Sequence, residues 1–257
     1  MSSVLVEEVG SLDLVDLDAL NKLHGGGFLP FPLRFTRPGR FASANEAEAH
    51  AASVSDRFRH GDLRTFTQCV TAYSTADIRV ECHVQHIPAD IPCGRVLAYR
   101  AEQLGFLVTQ QPEQDVVDVY TVSPYDLGAA IAEAVPLAEP GGHHAIVVPE
   151  YAPRTEDVFD SDEFVIGDRR ATSTEVLVPA AEVVVYSMIQ SHWQPAKKWG
   201  RDPSKPALIW VGVDGDGDYV YADDQSHATP MTRRLLRERI DALIADDIEA
   251  LREYRDY

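Results

Sequence analysis

The sequence predicts an α+β fold: two similar halves around a central antiparallel β-sheet flanked by helices, with a pseudo-two-fold relation between the halves. The first indication is a pattern that occurs twice, around residues 104–135 and 207–244, in which two β-like runs joined by a polar turn lead into a helix. Each helix is expected to open with a hydroxyl residue and a proline, Ser123-Pro124 in one copy and Thr229-Pro230 in the other. These pairs are equivalent starts, because a hydroxyl N-cap accepts a hydrogen bond from a free backbone N–H and proline lacks that N–H.

The domain organisation follows from this repeat and from the length of the chain. At 257 residues, the chain is long enough to bury a large core as one domain or two. We expect a single two-lobed domain over residues 1–257, with approximate halves at 1–140 and 141–257.

The second indication is the clearest strand of the sequence, at 78–86, where apolar and polar side chains alternate. Its apolar positions are Ile78, Val80, Cys82 and Val84. The alternation predicts one face packed on a core and one face toward water. Further strands at 95–100, 106–109 and 116–122 complete an antiparallel meander, and a helix from Pro124 then ends at Pro136.

The segment before this meander is predicted to be mainly helical. The expected elements are a strand at 4–6, a helix capped by Asp16, an extended proline-rich run at 28–35, a helix that opens with the Ser43–Glu46 capping box and ends at Gly61, and a helix capped by Asp62. The apolar residues of the run at 28–35 are expected in the core, with an exposed docking patch as the alternative.

The second half begins with an acidic bridge at 140–171 that holds a strand at 145–148. Glu175–Gln190 is ambiguous between helix and strand, and we expect a helix first and a strand after it, because Val183–Tyr186 contains three β-branched valines. A hairpin at 207–213 and 219–222 and a long amphipathic helix at the end complete the half.

The composition restricts the partners. Lys and Arg number 23 and Asp and Glu 41, so the net charge is −18, which disfavours nucleic acid and membrane insertion and favours a basic or apolar partner. An acidic surface that merely aids solubility is the alternative. The three cysteines lack a C-x2-C pair, and the first residues lack a signal peptide, so we expect a protein of the cytoplasm.

Two places resemble metal sites. The aspartates at 214, 216 and 218 have the spacing of a calcium loop, but Tyr219 and Gln225 replace the glycine and glutamate that such a loop needs. Cys82, His83, His86 and Cys93 are the second candidate, although strand alternation turns His83 away from the others. We therefore expect a hairpin tip and a core cysteine, no metal and no cofactor. The sequence also lacks the common catalytic and phosphate-binding motifs, so no catalytic residue is assigned.

The order of several short motifs over residues 12–244 resembles EspG, the ESX (type VII) secretion-associated proteins of actinobacteria. The motifs are Leu29-Pro30-Phe31-Pro32-Leu33, Arg37-Pro38-Gly39-Arg40, Asp77-Ile78-Arg79-Val80, Ser123-Pro124-Tyr125-Asp126-Leu127 and Pro140-Gly141-Gly142. The resemblance implies a cytosolic chaperone, without catalysis, that binds the apolar helical tip of a PE–PPE heterodimer or a WXG100-like substrate and delivers it for export.

The resemblance also suggests a contact region, since the loop after the second strand of the family is a variable element near the partner. Here that loop supplies the candidate partner-binding residues Ile87, Pro88, Ala89, Asp90, Ile91 and Pro92. The alternatives from other classes are a metal-dependent enzyme and an acidic protein-binding or immunity module.

Overall fold

The computed structural model describes residues 7–37, 39–87, 90–151, 175–195 and 198–256. The strands are β1 (Glu7–Asp13), β2 (Ile78–His86), β3 (Gly94–Ala101), β4 (Leu104–Gln110), β5 (Val116–Val122), β6 (Ala145–Val147), β7 (Glu175–Leu177), β8 (Val183–His192), β9 (Leu208–Val213), β10 (Gly217–Tyr221) and β11 (Ala228–Pro230). The α-helices are α1 (Leu14–Leu23), α2 (Ala44–His60), α3 (Thr67–Ser74), α4 (Leu127–Ala134) and α5 (Arg233–Arg255), and short 3-10 helices cover Asp62–Phe66 and Ala180–Glu182.

Within the described residues, eleven strands form one sheet in the order β1-β5-β4-β3-β2-β8-β9-β10-β11-β6-β7. Every named strand pair is antiparallel except β6–β7. Helices α4 and α5 pack on one face, where they share a core with Val80 and Trp210. Helices α1 and α3 pack on the other face of the β1–β5 side, over Tyr99 and Phe106. The predicted α+β class, with a central sheet flanked by helices, is confirmed.

The two strand runs β2-β3-β4-β5 and β8-β9-β10-β11 extend in opposite directions from the central β2–β8 pair. Each run is followed by a helix, α4 or α5. Counted outward from the centre, β4 and β5 are third and fourth, whereas β9 and β10 are second and third. The repeated pattern of the sequence is therefore offset by one strand from the order of the sheet, and the pseudo-two-fold relation and the halves at 140 and 141 stay predictions.

The expected hydroxyl–proline helix starts are wrong in both copies. Ser123 lies in a turn where its carbonyl accepts from the N–H of Asp126 (3.0 Å), and α4 begins only at Leu127. Thr229-Pro230 lies in β11, paired with β10, and α5 is capped by Thr232, whose hydroxyl accepts from the Leu235 N–H (3.1 Å). The pairs are still compatible with local chemistry, because proline suits turns and the ends of strands, and Pro230, the last residue of β11, is paired with β10 but not with β6.

Two other expectations need correction, and a third is not tested. The cap of α1 is Asp13, which accepts from the Val15 N–H (3.0 Å), while Asp16 is buried in the first turn of that helix. The element expected from the Asp62 cap is a 3-10 helix that continues into α3. The strand expected at 4–6 lies outside the described residues, and the first described strand is β1. The Ser43 cap, in contrast, is confirmed: its hydroxyl accepts from the Glu46 N–H (3.2 Å).

The ambiguous segment at 175–190 is mostly extended. It contains β7, one 3-10 turn and the long strand β8, so the helix expected in its first part is wrong and the strand expected after it is confirmed. The proline-rich run is core, as expected, because Leu29, Phe31 and Leu33 are buried.

The polar face of β2 is buried, although the alternation predicts that it faces water. Arg79 and Glu81 were expected in water, but they expose 4% and 2% of their surface. The Arg79 guanidinium donates to the Tyr73 carbonyl (3.0 Å) and lies over that ring, so α3 covers this part of the face.

Candidate partner-binding surface

The loop between β2 and β3 presents two isoleucines to solvent. Ile87 and Ile91 expose 45% and 46% of their surface, and Asp90 is exposed beside them. The backbone N–H of Ile87 donates to the Val184 carbonyl (2.9 Å), so the loop leaves the sheet from a fixed point. Of the other predicted residues, Pro92 is partly buried, whereas Pro88 and Ala89 lie outside the described residues.

An open groove of about 530 Å³ lies beside this loop, between α4 and the ends of β3, β4 and β5. We call it the α4 groove. Its apolar lining residues are Pro92, Val96, Leu107, Pro112, Tyr120, Ala130, Ala134 and Pro136. A concave surface of this size with a mainly apolar lining is typical of a site that buries part of a ligand.

The rim of the groove is polar and ordered by hydrogen bonds. The Asp118 carboxylate accepts from the Ser11 hydroxyl (2.6 Å) and the Gln111 amide (2.9 Å). The Gln110 amide donates to the carbonyls of Arg34 and Gln114, which fixes the turn between β4 and β5. Burial raises the pKa of the Tyr120 phenol, so this groove residue stays neutral at physiological pH. The site is suited to holding an apolar group inside a polar rim.

The sequence identified the loop but not the groove. Val96, Leu107, Tyr120 and Ala134 come from four elements, and nothing in the local pattern of any one element marks it as part of a site. The usable signal is the pair of isoleucines in a proline-containing loop, since large apolar residues in a loop are often functional when they stay exposed.

The aspartate-rich hairpin directs its carboxylates to different partners. Asp216 accepts from the Tyr219 hydroxyl and the Gly142 N–H (2.8 Å), whereas Asp218 accepts from the Ala138 N–H (2.7 Å) on the opposite side. Burial raises the pKa of Asp218, while the Tyr219 hydroxyl lowers the pKa of Asp216. The segment is therefore a hairpin tip that holds the chain around 138–142. A hairpin tip is what the sequence predicted in place of a calcium loop.

The cysteine and histidine cluster is split by the sheet. Cys82 is fully buried on the side of α4 and α5, whereas the His83 ring faces Phe31 on the other side, with 6.2 Å between ring centroids. Burial, followed by Arg95 and Arg34, lowers the pKa of His83 to about 4. Among the residues that the structure describes, no group of three or more His, Cys, Asp or Glu side chains is placed to hold a metal ion.

A buried cluster of polar side chains lies at the centre of the sheet instead. His192 Nε2 lies 3.4 Å from Glu81 Oε2, and both side chains are more than nine-tenths buried. Burial lowers the pKa of the neighbouring Arg79. Because β2 and β8 carry these groups, the contacts connect the two central strands.

None of the described helices is both long enough and apolar enough to cross a lipid bilayer.

The fold and this surface define an α+β protein that offers an open, apolar-lined groove next to an exposed loop. The chain belongs to the EspG family, whose family model matches residues 13–242. The resemblance found in the sequence is thus confirmed.

A solved structure is similar over most of its length. It is the Mycobacterium tuberculosis type VII secretion system chaperone EspG5 in complex with the PE25–PPE41 dimer, with a TM-score of 0.50 and 15% sequence identity. The match covers 91% of this chain and 95% of that chain. At this identity the likeness concerns the fold. A search of the curated proteins finds no match.

Proposed function

We propose that this protein is a type VII secretion chaperone of the cytoplasm that binds a PE–PPE heterodimer or a WXG100-like substrate. It acts by binding and not by catalysis. Membership of the EspG family supports this proposal most directly. The similar solved structure is of a chaperone bound to a PE–PPE dimer, which favours the same class of substrate.

The substrate's apolar helical tip docks at the β2–β3 loop and the α4 groove in this proposal. Ile87 and Ile91 leave almost half of their surface in water, and covering it would add favourable free energy. An apolar helical end would otherwise aggregate, so reversible coverage keeps it available for export.

The test is co-expression with candidate PE–PPE pairs from the same genome, followed by size-exclusion chromatography. We expect a stable complex with a native pair, and failure of every native pair to co-elute would contradict the proposed function. The double variant Ile87→Asp/Ile91→Asp should weaken the complex by at least about tenfold. Burial of the exposed part of each isoleucine contributes roughly 1 kcal/mol to the free energy of binding.

The matched control is Leu23→Asp on α1, which replaces a side chain that is 53% exposed away from the loop. We expect the control to bind like the unaltered protein. Equal loss in both variants would mean that the loop is not the contact surface, even if the complex itself forms.

A further inference from the structure

The α4 groove has a guanidinium group among its apolar walls. Arg95 of β3 lines the groove and is partly buried, and its Nη1 donates to the Cys93 carbonyl (3.3 Å). Arg100, at the other end of β3, pairs with Asp77 at 3.2 Å, whereas Arg95 has no carboxylate within 4.0 Å among the described residues. Burial lowers the pKa of Arg95, but a guanidinium stays charged in a protein. The groove therefore contains a partly desolvated cation with N–H donors to spare.

The acceptor groups around the groove, in contrast, have donors or solvent. The Asp118 carboxylate has the two donors described above, and the Glu133 side chain is 61% exposed and lies 3.9 Å from Arg233. The carbonyl end of α4, which borders the groove, is also matched, because Arg233 donates to the Ala132 carbonyl. The polar group that lacks a full set of partners is thus the donor Arg95. An occupant that supplies hydrogen-bond acceptors would match it.

We propose that the α4 groove receives the carbonyl end of a substrate helix and that Arg95 is the residue that selects this end. The last carbonyls of an α-helix have no partner within the helix and carry a partial negative charge, so a guanidinium can bind them. The apolar side chains of the same turn would cover the walls of the groove. The amide end of a helix would instead bring unpaired N–H groups and a partial positive charge toward Arg95.

A carboxylate side chain of the substrate is the other acceptor that would match Arg95. It is less favoured, because it would bring a full negative charge to a chain whose net charge is −18, whereas the end of a helix carries only about half a charge. The inference rests on the proposed function and deepens it, since it states which end of the substrate helix enters the groove.

The test maps the contact by photo-cross-linking in the complex with a native PE–PPE pair whose helices have been located by crystallography. A photo-reactive benzoylphenylalanine replaces Thr109, which lines the groove and pairs across the strands with Val96, next to Arg95. We expect mass spectrometry to find cross-links in the last turn of a substrate helix or directly after it. The same group in place of Leu23, on α1, is the control and should give no cross-link to the pair.

Affinity measurements test the role of Arg95 itself. Arg95→Met keeps an unbranched side chain but removes the donors, and the Kd of the complex should rise at least about tenfold. Arg95→Lys keeps the charge without the planar fork of donors, so its Kd should lie between the two. The control Arg59→Met changes an exposed arginine of α2 and should alter the Kd by less than about twofold. The cross-linking keeps Arg95 and therefore decides the question even if Arg95→Met does not fold.

Three results would overturn the proposal while the complex still forms and the proposed function stands. The first is cross-linking only to the first turn of a helix, and the second is an equal affinity of Arg95→Met and Arg59→Met. The third is loss of the Arg95→Met effect once an Asp or Glu of the cross-linked substrate turn is changed to Asn or Gln, because the acceptor is then a side-chain carboxylate. Failure of every native pair to bind would contradict the proposed function and this inference together.

Discussion

Helix α2 is joined to α1 by one buried carboxylate, and removal of that charge should loosen the helix. Most of α2 faces solvent, and Val54 is its one fully buried residue. The Asp16 carboxylate on α1 contacts His50 Nε2 (2.9 Å) and Arg57 Nη1 (3.0 Å), both of which are on α2. We expect Asp16→Asn to weaken these contacts while it keeps the shape of the side chain.

The magnitude follows from the burial of the group. The hydrogen bond from Arg57 to the Asp16 carboxylate is of the charged kind, which contributes about 1.5–3 kcal/mol; the partial exposure of Arg57 reduces that figure, and the loss of the His50 contact adds to the cost. We expect the free energy of unfolding to fall by about 2–3 kcal/mol for Asp16→Asn. The control Asp18→Asn removes a surface pair with Lys22 on the same helix and should cost no more than about 0.5 kcal/mol.

Urea unfolding measures the free energies, and hydrogen exchange reports whether the amides of α2 lose protection first. Equal, small losses in the Asp16 and Asp18 variants would refute the reasoning. So would a normal level of protection in α2 after Asp16→Asn.

Two further predictions concern the hairpin at 214–218. Gly141→Ala should lower the free energy of unfolding by about 3 kcal/mol, because its Cβ would lie 1.9 Å from the ring of the fully buried Tyr219. Gly142→Ala is the control, and urea unfolding should show a loss below about 1 kcal/mol, since its Cβ would stay 3.1 Å from Asp216. Burial raises the pKa of Asp218 above 3.8, so the contribution of this carboxyl group to stability is largest at low pH, where it is protonated, and is lost as the pH rises through the raised pKa. Asp218→Asn should therefore be at least as stable as the unaltered protein at pH 7 and lose that advantage below about pH 4 in a series of unfolding curves; a clear loss at pH 7 would contradict the assigned effect.

Local sequence patterns predicted the elements whose structure depends mainly on the residues within the element itself. The alternation at 78–86 gave β2 with its bounds, and the Ser43–Glu46 spacing gave the start of α2. Val183–Tyr186 formed a strand as its β-branched side chains indicated, although the helical periodicity of the preceding residues did not produce an α-helix.

The wrong expectations involve contacts between distant parts of the chain. Thr229-Pro230 became a strand because β10 offered it a partner, which no cap rule takes into account. The polar face of β2 is covered because Tyr73 of α3 receives Arg79, and His192 of β8 lies beside Glu81. Sequence alternation shows which side chains share a face, but not what packs on that face.

The candidate site was also predictable only in part from the sequence. Family resemblance indicated the loop at 87–92, whereas the α4 groove arises only from the tertiary fold. The net charge favoured a basic or apolar partner, and the apolar lining of the α4 groove is suited to an apolar one. Total charge describes the long-range field and not the local surface.

The most direct test of the central claim is hydrogen exchange of this protein alone and in complex with its PE–PPE pair. If the loop and the α4 groove hold the substrate tip, then peptides that cover 87–93 and 130–136 should gain protection in the complex. Unchanged exchange in both regions, together with new protection elsewhere, would contradict the account.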